Sequence, residues 1–184
     1  MKAALLGLCA LVCPTLASAA IIGQSFTVEY DHPDLGSAYG PVAYSPKTFT
    51  AGPGPDTTVL IEGVTNLAVD LSATGLTVRF GTTLDHPTWN ATPFNGLVLT
   101  DNTAPHQIYG ATVENDTTLA GFDASRIAWT GDQIRLNFSG LSYVDGSLVS
   151  IGLAVPEPAS LALFGAGLAG AAMLRRRRTL EAAV

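Results

Sequence analysis

Residues 20–155 predict an all-β fold, a single antiparallel β-sandwich of about nine strands. Three observations lead there. The segment holds 15 glycines, 8 prolines and 18 threonines, so turn formers and β-branched residues are frequent and little favours helix. Apolar residues recur with a period of two, as expected of strands with one dry and one wet face. Turn-rich pieces at 51–56, 72–75 and 145–146 punctuate the runs.

In chain order, Phe26, Val28 and Tyr30 share one face of the first strand, and Val59 with Ile61 marks the second. Leu67, Val69 and Leu71 alternate with Asp70, and Leu76, Val78 and Phe80 with Arg79. Shorter runs follow at Leu97/Leu99, Tyr109/Ala111/Val113 and Ile127/Trp129. Ile134, Leu136 and Phe138 alternate with Arg135 and Asn137, and Val149, Ile151, Leu153 and Val155 close the series. A chain of this length buries roughly two thirds of its unfolded surface and needs no disulfide or metal to fold. Both cysteines, Cys9 and Cys13, precede the segment, which excludes a disulfide, a thiolate zinc site and a cysteine nucleophile within it.

Residues 1–19 read as a secretory signal peptide. Lys2 gives the positive start, 3–12 is an uninterrupted apolar run, and Ala17, Ser18 and Ala19 are small enough for a signal peptidase pocket. Pro14 argues against a buried helix. Val12 and Leu8, which precede the two cysteines, do not suit lipid attachment. Cleavage after Ala19 leaves Ala20 as the mature terminus.

At the other end, 159–174 is uncharged and is followed at once by Arg175, Arg176, Arg177 and Arg178. Sixteen helical residues span about 24 Å, slightly short of a bilayer core, and snorkelling arginines close the gap. The arginines resist translocation, so the run predicts a single transmembrane helix with 20–155 outside and 179–184 cytoplasmic. Small residues four apart, Ala166/Gly170 and Gly167/Ala171, suit a close helix partner or simply a low-volume span. Before the run stand Pro156, Glu157 and Pro158, whose prolines prevent either strand or helix from continuing.

The ordered set of Pro-Glu-Pro, apolar 16-mer and arginine cluster over 156–178 resembles the PEP-CTERM sorting signal of exported Gram-negative bacterial proteins. That resemblance implies recognition by exosortase, a membrane-embedded cysteine protease or transpeptidase that removes the tail near Pro156, Glu157 and Pro158. It implies anchoring in the inner membrane during transit, with a periplasmic ectodomain, and then the cell surface or extracellular polysaccharide matrix. The stretches 94–101 and 119–126 are similar to the β-rich ectodomains such proteins often carry, and no active site comes with that likeness.

The middle segment carries thirteen Asp and Glu against four Lys and Arg, a net charge of −9. Nucleic acid is therefore not an expected partner, and acidic polymers would need a bridging cation. Asp31-His32-Pro33 and Asp85-His86-Pro87 recur 54 residues apart. They read as two turns before they read as a metal or acid–base pair, because adjacent side chains in an extended segment point apart. There is no Gly-x-Ser-x-Gly elbow, His-Glu-x-x-His or P-loop. Asp31 with Asp34, Asp101 with Asn102, and Glu114 to Asp116 offer oxygens of the kind calcium takes, but they follow no EF-hand and read first as solvated turns. Calcium is thus the one cofactor entertained, with no metal site assigned. Sequons begin at Asn90, Asn115 and Asn137, the last within a strand.

Of the aromatics, Trp129 shares its face with Ile127 and is expected in the core. Trp89, in a polar stretch between Pro87 and Pro93, and Tyr39 with Tyr44 in a Gly/Pro-rich segment are expected as exposed platforms for a sugar ring. The resulting expectation is a non-enzymatic protein of the surface or matrix, structural or interacting. A carbohydrate-binding module is the alternative, and a secreted hydrolase a distant third. The expected partners are signal peptidase, exosortase, the membrane and extracellular polysaccharide.

Overall fold

The computed structural model describes residues 21–103, 108–155 and 164–170. The chain divides into a compact β unit, Ala19–Glu157, and a second unit of Met1–Ser18 with Pro158–Val184. Within the first, eleven strands form: β1 Ser25–Asp31, β2 Val42–Ala43, β3 Lys47–Thr50, β4 Thr57–Ile61, β5 Thr65–Leu71, β6 Gly75–Thr82, β7 Gly96–Asp101, β8 Gly110–Val113, β9 Ile127–Trp129, β10 Gln133–Asn137 and β11 Leu148–Ala154. A short 3-10 turn, Ala124–Arg126, precedes β9 and is capped by Asp123, whose carboxylate accepts from the Ser125 N–H and hydroxyl. Those two hydrogen bonds hold the Asp123 carboxyl below its ordinary range.

The strands make two antiparallel sheets, ordered β3-β1-β7-β10-β9 and β2-β4-β5-β6-β11-β8. All nine strands expected from alternation are present. The two additional ones, β2 and β3, have two and four residues and only one buried apolar side chain, Phe49, so they offer no period to read. The inner faces carry Phe26, Val28, Tyr30, Leu97, Leu99, Ile134 and Leu136 from one sheet and Val59, Leu67, Val69, Leu71, Leu76, Val78, Phe80, Val149 and Ile151 from the other. All are almost wholly buried in one continuous core. Burial of each such side chain contributes about 1.5–3 kcal/mol.

Register explains a closer approach at the centre of the first sheet. Gly96 opens β7 opposite Asp31 of β1 and Asn137 of β10. A β-carbon there would collide with the Leu136 carbonyl oxygen, so only glycine lets the two strands meet. The β4–β5 hairpin turns through Glu62 and Gly63, both with positive φ (51° and 72°), and Val64 N–H donates to the Ile61 carbonyl at 3.0 Å. Two consecutive positive-φ residues are the signature of a type I′ turn.

Strand directions sort the connections between two ends of the sandwich. One end collects 32–41, 62–64, 83–95 and 138–147, whereas the other collects 51–56, 72–74 and the exit of β11 at Val155. In the second unit, 164–170 is helical, with Phe164 and Leu168 exposed. Among the described residues no helix is long and apolar enough to cross a membrane. The remainder of the expected span, Pro156, Glu157, Pro158 and Arg175 to Arg178, and the leader with Ala17, Ala19 and Ala20, lie outside the described residues.

Candidate functional site

The end of the sandwich with the long connections holds a cavity of about 150 Å³, lined among others by Tyr30, His32, Tyr39, Glu62, Trp89, Asn90, Asn95 and Tyr143. Trp89 does not stand out from the surface as expected; it is 6% exposed and forms part of the floor. The cause is backbone pairing that the surrounding prolines hid. Trp89 N–H donates to the Leu141 carbonyl at 2.9 Å, Tyr143 N–H donates to the Pro87 carbonyl at 3.0 Å, and Thr88 bridges to Ser142. In such a short ladder alternate residues point to opposite faces, so exposed Thr88 leaves Trp89 inward.

There the indole stacks on Tyr143 with centroids 4.8 Å apart and 15° between planes, and it also meets Tyr30, Phe80 and Phe138. Aromatic contacts of this kind contribute about 0.5–1.5 kcal/mol each beyond area burial. Its buried Nε1–H has no acceptor among the described residues.

Hydroxyls around the floor are satisfied in pairs. Tyr30 Oη–H donates to Asn95 Oδ1, and the Asn95 amide donates in turn to the Asn90 carbonyl at 3.0 Å. Tyr143 and Thr65 share a hydrogen bond of 2.6 Å. Burial pushes both Tyr30 and Tyr143 above the ordinary tyrosine range, with the Thr65 bond acting against the rise at Tyr143.

The rim is built differently. Tyr39 N–H donates to the Tyr30 carbonyl at 3.0 Å, its ring meets His32 edge-on at 5.1 Å, and its hydroxyl donates to Glu62 Oε1 at 2.5 Å. That last bond raises the Tyr39 pKa, because an acceptor carboxylate favours the protonated phenol. Glu62, from the β4–β5 turn, is held to the same loop by its own N–H, which donates to the Pro41 carbonyl at 2.9 Å. Among the described residues neither lysine nor arginine lines the cavity.

Thus Tyr39 and Trp89, two of the three expected ring platforms, meet in one cavity, as rim and floor respectively. Tyr44 does not join them; it is exposed, with the Lys47 ammonium 5.7 Å from its ring. Trp129 departs from expectation the other way. It lies opposite Ile134 on the inner face, but β9 is a three-residue edge strand where the core runs out, and the ring is 44% exposed. It lines a second, wider trough with Thr74, Glu114 and Gly152 near the β11 exit.

The two Asp-His-Pro triplets border the same cavity without combining. His32 lines it, whereas Asp85 and His86 lie exposed outside it and bond to each other at 2.5 Å. His86 has φ 48°, so the extended geometry that would point the pair apart is absent. Asp31 is buried and accepts from Gly36 N–H at 2.6 Å. Among the described residues no group of three or more His, Cys, Asp or Glu converges on a point. Asn137 ends β10 and spends its amide on Asn95, Ser139 and Pro93, while Asn90 and Asn115 are exposed.

Glu62, Asn95 and Tyr143 were not singled out by sequence, and Asn90 was read only as the start of a sequon. Only the Glu62-Gly63 dipeptide between two strands carried a local signal, that of a turn.

No curated protein and no solved structure matches the chain. The model of the PEP-CTERM protein-sorting motif matches residues 154–178, beginning on the last residue of β11. The chain carries a PEP-CTERM protein-sorting motif directly after its β-sandwich, and that motif implies an exported exosortase substrate anchored in the membrane in transit.

Proposed function

We propose that this protein is a non-enzymatic structural or interaction component of the cell surface or of its polysaccharide matrix. The observation that carries the reading is the junction at Ala154, where the last strand ends and the sorting motif begins. With so little linker, processing near Pro156 to Pro158 delivers the folded sandwich almost without a tail. Replacing Pro156, Glu157 and Pro158 with alanine tests this: the full-length form should accumulate in the membrane fraction. Equal mass and equal fractionation of variant and wild type would remove the proposal.

A second reading, carbohydrate binding, is favoured by the cavity, which sets Tyr39 beside a carboxylate and an amide. Hydrolysis of a glycosidic bond uses a pair of carboxyl groups, and Glu62 is the one carboxylate among the described lining residues. Turnover by the purified protein in a panel of glycosidase, esterase and protease substrates would overturn the non-enzymatic reading.

A further inference from the structure

We propose that the cavity binds one neutral sugar residue at the end of a glycan and rejects acidic sugars. This deepens the carbohydrate reading and rests on it. The floor is closed by the buried rings of Tyr30, Trp89 and Tyr143, so a polymer cannot thread through and must present an end. A volume of about 150 Å³ displaces on the order of five to ten waters, the scale of one hydroxylated ring.

The groups left over after internal pairing suit hydroxyls that both donate and accept. The Asn90 side-chain amide makes no hydrogen bond among the described residues, and Glu62 uses one carboxylate oxygen on Tyr39 and keeps the other. The half-buried Tyr39 ring offers an aromatic surface to the C–H side of a sugar.

Charge selects against uronates. A ligand carboxylate would enter beside Glu62, with no lysine or arginine among the described lining residues to receive it.

The backbone supplies an independent observation. Glu62 occupies a left-handed position (φ 51°) that a type I′ turn normally gives to Asn, Asp or Gly. Residues held in such conformations concentrate at ligand clamps. The cavity also lies at the end of the sandwich opposite the β11 exit.

The test uses the full-length chain in a polyoxyethylene detergent, which contains neither sugar nor ammonium groups. Saturation-transfer NMR measures binding of the methyl glycosides of glucose, galactose and mannose, of the methyl uronosides of glucose and galactose, and of tetramethylammonium chloride. At least one neutral glycoside should bind, its uronoside at least tenfold more weakly. Glu62→Gln and Asn90→Ala should each weaken neutral binding at least tenfold, with melting temperatures within a few degrees of wild type. Tyr39→Phe, which keeps the ring but releases the carboxylate, should weaken it less.

Equal binding of neutral and acidic glycosides, or neutral binding that survives both Glu62→Gln and Asn90→Ala, overturns this proposal while the carbohydrate reading stands. Absence of binding by every sugar overturns both. Binding of tetramethylammonium alone gives the cavity to organic cations and likewise overturns both.

Discussion

Trp89 shows how one residue's environment is set by hydrogen bonds that its neighbours in sequence do not announce. Its indole is shared among Tyr30, Phe80, Phe138 and Tyr143, so truncation removes packing that the loops on either side cannot refill. Trp89→Ala should lower stability by about 3–5 kcal/mol, read from chemical denaturation; a loss below about 1 kcal/mol would mean that the side chain is not part of the core. The tyrosines beside it make stability fall at alkaline pH. Tyr30 and Tyr143 hold their protons more tightly folded than unfolded. Their contribution is complete below the unfolded tyrosine value of about 10 and is lost as pH rises beyond it. Melting temperature should therefore drop as pH rises above about 10, and Tyr143→Phe should flatten part of that slope. A flat profile would contradict the burial of both phenols.

At the scale of the element, alternation was a sufficient guide wherever a strand buried one face, as in β5 and β6, where Leu67, Val69 and Leu71 and then Leu76, Val78 and Phe80 point inward. It was insufficient where an element is short or at an edge. Lys47–Thr50 pairs with β1 through backbone hydrogen bonds and shows a single buried ring. The same limit governed the candidate site. Tyr39 could be picked out by its type, but the carboxylate it meets comes from a hairpin 23 residues away, and that pairing is a product of strand register. Two substitutions test the register itself. Gly96→Ala should cost about 1–3 kcal/mol, since the new methyl must push β10 from β7; a neutral result would mean that the strands are not so close. Glu29, on the outward face of β1, has its pKa raised by desolvation first and by the neighbouring Asp31 second. A carboxyl whose folded value is raised destabilises the fold once pH passes the unfolded value. Glu29→Gln should therefore raise the melting temperature at pH 7 and leave it unchanged at pH 3; the opposite pattern would place the side chain in a favourable field.

Across the whole molecule, sequence at the two chain ends spoke through composition, and the fold between them through periodicity. The Pro-Glu-Pro, apolar and arginine blocks were legible because each is a contiguous run and the three follow in a fixed order. The cavity was not, since it draws on β1, the loop after it, the β4–β5 turn and the 83–95 connection at once. The architecture separates these two properties in space, with the β11 exit at one end of the sandwich and the cavity at the other.

The most direct measurement is the intact mass of the protein recovered from exosortase-positive and exosortase-deficient cells of the same strain. Processing predicts a product lacking the residues beyond the neighbourhood of Pro158 in the first and a chain that retains them in the second. A product that keeps its arginine cluster in both would contradict the account.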